Sequence, residues 1–402
     1  MKQRVPPRPI HPFPARMAAA VVEEHLLDLP PGSVVLDPMV GSGTTLVLAR
    51  TRGLKGIGVD TDPLALLLAE TWSSRVDVDR AGKAVSRMLR GAEGEAEALS
   101  AEQSYPASAD EETRSFIDYW FEKHIQKELR VLSTRIGRVR DPSVRRVLWT
   151  AFSRLVIVKE RGVSLAMDIA HSRPHRVYET APRGAVATFA REVKEVLCRA
   201  AELQDSFSGP APLVLNADAR ALPLDSGAVD AVISSPPYLN AIDYLRGHKF
   251  SLVWMGHTIS DLRATRAANI GTEVSWKGVI PAQIQQALFT ASGELLPKRE
   301  RGILARYLAD MLEVLKEVRR VLRPGGSAAL VVGDSRMHGI RVRNADALIA
   351  LADTVSLELV ARKERSIQTN RRYLPPPEAT SSGASLGARM RSEWVLRFAA
   401  AS

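Results

Sequence analysis

The stretch "SVVLDPMVGSGTTLVLAR" at residues 33–50 decides the fold. Its apolar start, "SVVLD" (33–37), is typical of a short buried strand, and "GSGTTLVLARTRG" (41–53) is typical of a glycine turn that leads into a helix. A second apolar run, "KGIGVD" (55–60), follows, and Pro63 suits the first turn of the next helix. This strand–helix–strand order predicts a parallel sheet covered by helices.

The same alternation returns in the C-terminal half of the chain. A helix over about 302–322 is expected to stop at "RPGG" (323–326). The expected strands are "PLVLN" (212–216), "VDAVI" (229–233), "SAALVVGD" (327–334), "SLELVAR" (356–362) and "SEWVLRF" (392–398), with a helix at "NADALIALADTV" (344–355). The sequence therefore predicts an α/β fold with a doubly wound, mostly parallel sheet.

Residues 76–210 have a different pattern. Apolar residues recur there at helical spacing, Asp141-Pro142 is a typical helix start, and no clear strand is evident. We therefore expect 1–75 and 211–402 to form one catalytic domain, and 76–210 to form a large helical insertion that serves as a nucleic-acid or target-recognition region.

Composition narrows the class of protein. The 402 residues contain no run of 18 or more apolar residues, and the N-terminus lacks the apolar core of a signal peptide, so we expect a soluble cytoplasmic protein. Cys198 is the only cysteine, which excludes an internal disulfide and a cysteine-built metal site. The formal net charge of +10 suits a polyanionic partner, although a solvated basic surface would give the same sum.

Three acids follow three strands of the predicted sheet. Asp37, Asp60 and Asp218 should meet at one edge, beside the turn in which Gly41 and Gly43 allow close approach of a ligand. Each acid alone could be a helix cap. The loop matches neither the dinucleotide fingerprint nor the P-loop. Because carboxylates repel phosphates and suit a cationic nucleoside, the pattern favours S-adenosylmethionine.

"SPPY" (235–238) ends the strand at 229–233. Two prolines have fixed φ and no N–H, so the turn is stiff, although a plain strand-ending turn would look alike. An exocyclic base amine is a poor nucleophile because its lone pair is delocalised. Ser235 Oγ and the Pro236 carbonyl could accept the amine hydrogens and localise that pair, and Pro237 would stiffen the turn. Tyr238 offers a flat face for a base swung out of its stack.

A set of motifs resembles one known family. "HPFPARM" (11–17), "DPMVGSGTT" (37–45), "VD" (59–60), "NADA" (216–219) and "SPPY" (235–238) are similar to the motifs of the S-adenosylmethionine-dependent amino-methyltransferases that act on DNA. The resemblance implies a seven-stranded Rossmann-like sheet. It also implies a cofactor site formed by Phe13, Pro14, Ala15, Arg16, Asp37, Pro38, Gly41, Gly43, Thr44, Thr45, Asp60, Asp218 and Ala219. The target base would be held by Ser235, Pro236, Pro237 and Tyr238.

A serine at the start of that last motif is usual for cytosine N4 enzymes of the family, so cytosine N4 is the leading expectation. Adenine N6 in DNA, or a guanine N2 or adenine N6 amine in RNA, stays open, as does association with a restriction or defence system. Two alternatives from other classes are a nicotinamide-dependent oxidoreductase, disfavoured by the incomplete glycine motif, and a non-catalytic nucleic-acid-binding relative, disfavoured by the intact motifs.

Clustered basic residues are the candidates for contact with DNA. We expect no metal, since the two histidines of "HSRPHR" (171–176) lack further ligands at suitable spacing. The candidates are Arg138, Arg140, Arg145, Arg146, Arg173, His175, Arg176, Arg371 and Arg372.

Overall fold

The computed structural model describes residues 8–13, 16–239, 243–272, 275–367 and 392–401. Its strands are β1 (Val34–Asp37), β2 (Lys55–Asp60), β3 (Ala166–Met167), β4 (His175–Arg176), β5 (Leu213–Asn216), β6 (Val229–Ser234), β7 (Leu322–Val332), β8 (Ser335–Met337), β9 (Ile340–Val342), β10 (Leu357–Ser366) and β11 (Ser392–Ala400). Seven of them form one sheet in the order β10-β11-β7-β6-β1-β2-β5. The strands from β7 to β5 in that order are parallel, and β11 is antiparallel to both β7 and β10. The predicted seven-stranded, mostly parallel sheet is confirmed.

Helices cover both faces of this sheet and build the insertion. They are α1 (Ala19–Leu26), α2 (Thr44–Thr51), α3 (Pro63–Ser73), α4 (Val78–Leu89), α5 (Ala92–Ala98), α6 (Glu111–Trp120), α7 (Lys123–Gly137), α8 (Pro142–Val156), α9 (Ala185–Gln204), α10 (Leu245–Leu252), α11 (Ile259–Ala268), α12 (Ala282–Thr290), α13 (Lys298–Val321) and α14 (Asn344–Asp353). As predicted, Asp141 caps α8 ahead of its proline, and Asp62 caps α3 in the same way.

Two local predictions differ from the structure. Strand β7 begins at Leu322 and runs through "RPGG" instead of after it. Leu322 pairs with Val229 and Ser327 with Ala231, so 323–326 is an irregularity in a continuing strand, not a stop. The insertion also contains strands, since β3 and β4 form a short antiparallel pair around the "SRP" turn.

The order in which the strands are added to the sheet reverses at β1. The chain moves outward from β1 through β2 to β5, then returns to β6 on the other side of β1. In open α/β sheets, ligands bind outside the carboxyl ends of the strands at such a switch point. Asp37 ends β1 and Ser234 ends β6, so the glycine loop and the SPPY turn leave the sheet side by side.

The insertion shares its core with the sheet domain. One cluster of buried side chains joins Phe13 and Trp72 to Phe152 and Phe189 of the insertion, and to Phe250 on α10. Fixing these elements against one another therefore fixes the insertion relative to the glycine loop. Among the described helices, none is both long and apolar enough to cross a membrane.

Candidate active site

Asp37 joins the two motifs at the switch point. Its Oδ1 accepts a hydrogen bond from Ser234 Oγ and its Oδ2 accepts one from Thr45 Oγ1, both at 2.7 Å. The carboxyl is buried, with 2% of Asp37 exposed, and this burial raises its pKa to about 7. The predicted cofactor residue therefore sits beneath the loop and fixes the start of α2 to the end of β6. Its neighbours Pro38 and Thr44 are also buried.

The two glycines of the loop have different roles. Gly41 and Gly43 both have positive φ, +49° and +89°. A Cβ on Gly43 would lie 2.8 Å from Ala69 Cα on α3, so this glycine permits α2 to pack against α3. A Cβ on Gly41 would instead lie 3.5 Å from the ring of Phe13. Of the two glycines, Gly41 is therefore the one that lies beside the predicted N-terminal motif.

Asp60 braces the same loop from β2. Its carboxylate accepts hydrogen bonds from the backbone N–H of Gly41 at 2.9 Å and of Asp62 at 3.0 Å. Burial of the carboxyl, together with the nearby charge of Asp62, raises the pKa of Asp60 to about 6. The backbone N–H of Thr61 also interacts with this carboxylate, whose two oxygens together can accept about four donors.

Asp218 has a partner that the sequence did not reveal. Arg220 Nε donates to Asp218 Oδ1 at 3.0 Å, and its Nη2 donates to Oδ2 at 2.6 Å. Partial burial alone would raise the pKa of Asp218, but the hydrogen bonds of Arg220 hold it below its ordinary value. Asp310 binds the same guanidinium at 2.7 Å. The following residue, Ala219, is buried.

Of the N-terminal motif, Phe13 is buried and Arg16 is exposed. The ring of Phe13 stacks on that of Tyr244 with centroids 5.3 Å apart. The predicted residues Pro14 and Ala15 lie outside the described part of the chain.

The SPPY turn is fixed to β7. Ser235 Oγ donates to the carbonyl of Val331 at 3.2 Å. Because its hydrogen is used there, the hydroxyl oxygen is left as an acceptor on its remaining lone pairs. This is the role that the chemistry of an amine substrate requires of Ser235.

The rest of the turn is fixed to β11. Pro236 is buried and Pro237 is half-buried, so the stiff part of the turn lies against the protein. Tyr238 is half-buried, and its hydroxyl donates to Glu393 Oε2 at 3.2 Å. Burial and the adjacent carboxylate hold the pKa of Tyr238 well above its ordinary value, so the phenol stays neutral and keeps donating.

The chain is similar to Type II methyltransferases. It is 23% identical to the Type II methyltransferase M.BsoBI of Geobacillus stearothermophilus over 378 residues, which cover 81% of this chain and 73% of that protein. It is 22% identical to M.MvaI of Kocuria varians, with 83% and 78% covered.

Among solved structures, a SAM-dependent methyltransferase from Methanosarcina mazei matches with a TM-score of 0.33 and 8% identity, covering 93% of this chain and 94% of that one. No protein-family model matches the chain. The names of the relatives agree with the predicted reaction class, methyl transfer. They specify neither the base nor the atom that is methylated.

His248 and Asp62, which we did not predict as site residues, lie next to Phe13 and to each other. His248 is 1% exposed, its Nδ1 lies 2.5 Å from Asp62 Oδ2, and its ring centroid lies 5.2 Å from that of Phe13. Burial alone would raise the pKa of Asp62, but the charge and hydrogen bond of His248 lower it. Asp62 directly precedes Pro63, a position typical of a helix cap. No sequence pattern indicates that it contacts a histidine 186 residues further along the chain.

The structure separates the four arginines predicted near the start of α8. Arg138 and Arg140 are exposed. Arg145 Nη1 donates to the carbonyl of Val139 at 3.1 Å, and Arg146 Nε lies 3.7 Å from Glu70 Oε2, so these two are partly engaged within the protein.

The β3–β4 pair presents Arg173, His175 and Arg176, all exposed. The guanidinium of Arg176 lies 5.1 Å from the ring centroid of Tyr119. Arg371 and Arg372 lie outside the described residues. Within the described residues, no group of three or more His, Cys, Asp or Glu side chains is arranged to hold a metal ion.

Proposed function

We propose that this chain is an S-adenosylmethionine-dependent methyltransferase that modifies an exocyclic amine of DNA, with cytosine N4 as the target. One observation carries the proposal: a single carboxylate, Asp37, accepts hydrogen bonds from Thr45 of the glycine loop and from Ser234, beside the SPPY turn, at 2.7 Å each. The loop that would bind the methyl donor and the turn that would bind the amine are therefore both attached to the carboxylate of Asp37. The enzyme class of the relatives supports the same reaction.

The residues around the loop fit the cofactor. The free lone pairs of Asp60 suit the two ribose hydroxyls, and the ring of Phe13 against Gly41 suits the apolar part of the methionine chain. When bound, S-adenosylmethionine supplies an electrophilic methyl group on a sulfonium, and the nearby carboxylates suit its positive charge. The region of Asp218 and Ala219 is proposed to receive the adenine, with the charge of Asp218 balanced by Arg220.

The turn would act by orienting the amine. One amine hydrogen would bind Ser235 Oγ and the other the carbonyl of Pro236, which localises the nitrogen lone pair toward the methyl group. Tyr238 would hold the ring of the swung-out base. Residues 235–238 contain no carboxylate or imidazole, so we assign the loss of the amine proton to solvent after transfer, when the nitrogen is cationic and acidic. Positioning and fixed dipoles then supply most of the catalysis.

The experiment is digestion of DNA and RNA from cells that express the protein, followed by mass spectrometry of the nucleosides. We expect N4-methylcytosine in DNA, and none in cells that express Ser235→Ala. N6-methyladenine alone would correct the base, and modified RNA beside unmodified DNA would correct the polymer. If the purified protein binds NAD and no S-adenosylmethionine in calorimetry, the enzyme class itself is wrong.

A further inference from the structure

The insertion holds the segment that precedes Phe13. The N-terminal segment, residues 8–13, runs across α8 and α9, and four consecutive residues each meet a side chain there. Arg8 pairs with Glu202, the Pro9 carbonyl accepts from Arg199 Nη1 at 2.8 Å, the Ile10 carbonyl accepts from Arg154 Nη1 at 3.0 Å, and His11 Nε2 lies 3.0 Å from Ser153 Oγ. Ile10 is 1% exposed, so its side chain is sealed in the shared core.

A buried hydrogen-bond chain extends this contact to α10. Ser251 Oγ donates to the His248 carbonyl at 3.1 Å and lies 3.1 Å from Ser153 Oγ. If the hydrogen of Ser251 is used there, Ser153 can donate to Ser251 and accept from the Nε2–H tautomer of His11, so that each hydroxyl hydrogen is used once. Burial holds the pKa of His11 well below its ordinary value, in keeping with this neutral tautomer.

Phe13 is the functional end of the segment. On one side its ring lies 3.5 Å from the position that a Cβ on Gly41 would take, and on the other it packs on the ring of His248, which Asp62 fixes. The backbone of residues 9–11 has its carbonyls or side chain bound by the insertion, so the position of Phe13 depends on α8 and α9.

We propose that the helical insertion completes the cofactor site, because Ser153, Arg154 and Arg199 are positioning residues that hold Phe13 against Gly41. This role adds to the nucleic-acid contacts proposed for the exposed face of the insertion, and it rests on the proposed function. It predicts that cofactor affinity depends on residues of α8 and α9 that do not touch the cofactor.

The test compares the double variant Ser153→Ala/Arg199→Gln with the control Ser86→Ala/Lys194→Gln. The control removes a hydroxyl and a positive charge from exposed positions on α4 and α9. Calorimetry with S-adenosylhomocysteine should show affinity weakened about tenfold in the double variant, since the hydrogen bonds to Pro9 and His11 are lost, and unchanged in the control. In steady-state transfer, the KM for the cofactor should rise while kcat at saturating cofactor stays near that of the wild type.

A second measurement needs no ligand. Amide hydrogen exchange at residues 10–13 of the free protein should accelerate in the double variant and not in the control. If the double variant is folded and binds S-adenosylhomocysteine within twofold of the wild type, the proposal is overturned. If the wild type itself binds none, the proposed function fails first, and faster exchange at 10–13 would then show that the insertion holds the segment without serving a cofactor.

Discussion

Ser235 has the most specific role of any single residue in the proposed site. Its hydroxyl donates to the carbonyl of Val331, which leaves the oxygen as an acceptor for a substrate amine. Acceptance matters most as the nitrogen gains positive charge, which makes it a transition-state interaction. We expect Ser235→Ala to slow single-turnover methyl transfer on the order of a hundredfold, with cofactor affinity nearly intact.

Ser235→Asp is the informative companion to that variant, because it supplies the acid usual in adenine enzymes of the family and should retain some activity. Single-turnover transfer to DNA at saturating cofactor measures both. Wild-type rates in Ser235→Ala would remove Ser235 from the mechanism and leave the turn as a structural strand end.

Asp60 predicts a pH dependence of cofactor binding. Its pKa is raised to about 6, and only the ionised carboxylate can accept both ribose hydroxyls. Affinity for S-adenosylhomocysteine should therefore fall as the pH drops through about 6, approaching tenfold per unit at lower pH. Calorimetry between pH 5 and pH 8, an interval of about three units that spans this pKa, should show the fall in the wild type and a flat profile in Asp60→Asn.

Titration of Asp37 and Asp60 does not itself destabilise the fold in acid. The folded protein binds protons at Asp37 and Asp60 more tightly than the unfolded chain does, because both pKa values are raised. These two groups therefore stabilise the fold as the pH falls from about 7 toward their unfolded value, and their contribution is lost as the pH rises. An equally steep profile in Asp60→Asn would assign the titration to another group, with Asp37 next in line.

At the scale of helices, the contact between α2 and α3 depends on Gly43. Alanine there would place Cβ 2.8 Å from Ala69 Cα at a φ of +89°. Overpacking and the left-handed backbone should together destabilise the fold by at least about 2 kcal/mol. Gly82→Ala is the matched control, because a Cβ there meets nothing within 4 Å and α4 should gain about 0.5–1 kcal/mol. Urea unfolding measures both, and equal stabilities would show that α2 is free to shift away from α3.

We expect the exposed arginines of the insertion to contribute to DNA binding and the arginines that are bonded within the protein not to contribute. Arg138→Gln/Arg140→Gln should lower the slope of log affinity for DNA against log salt by about 1.8, since each lost phosphate contact accounts for about 0.9. Arg145→Gln/Arg146→Gln should leave the slope unchanged, because these side chains bind Val139 and Glu70. Fluorescence titrations at several salt concentrations decide the matter, and a change of slope in the second pair alone would reverse the assignment.

For the molecule as a whole, the fold could be predicted because each helix and strand depends on a pattern of residues that are close together in the sequence. The apolar runs at 33–37 and 55–60, the glycine turn between them and the Asp-Pro helix starts all appear where expected. At 323–326 the helix ends close to where it was expected, but the strand does not wait until 327, because β7 begins at Leu322 and continues through the proline-glycine run with an irregular pairing to β6.

The candidate site could be predicted only in part, because its contacts join residues that are far apart in the sequence. The sequence indicated which motifs would meet, since strand ends converge at a switch point. It could not show that Asp37 faces Ser234 beneath the loop, that Arg220 neutralises Asp218, or that His248 locks Asp62. These pairs join residues through the folded core, and no periodicity or spacing records them.

The exposure of Cys198 gives this protein a ready-made spectroscopic handle. It is the one cysteine in the chain, it lies on the outer face of α9, and it directly precedes Arg199, which binds the Pro9 carbonyl. A maleimide dye would therefore attach at a single native position without mutagenesis. Changes in its emission during rapid mixing with S-adenosylhomocysteine or DNA would follow, in real time, the helix that holds the N-terminal segment.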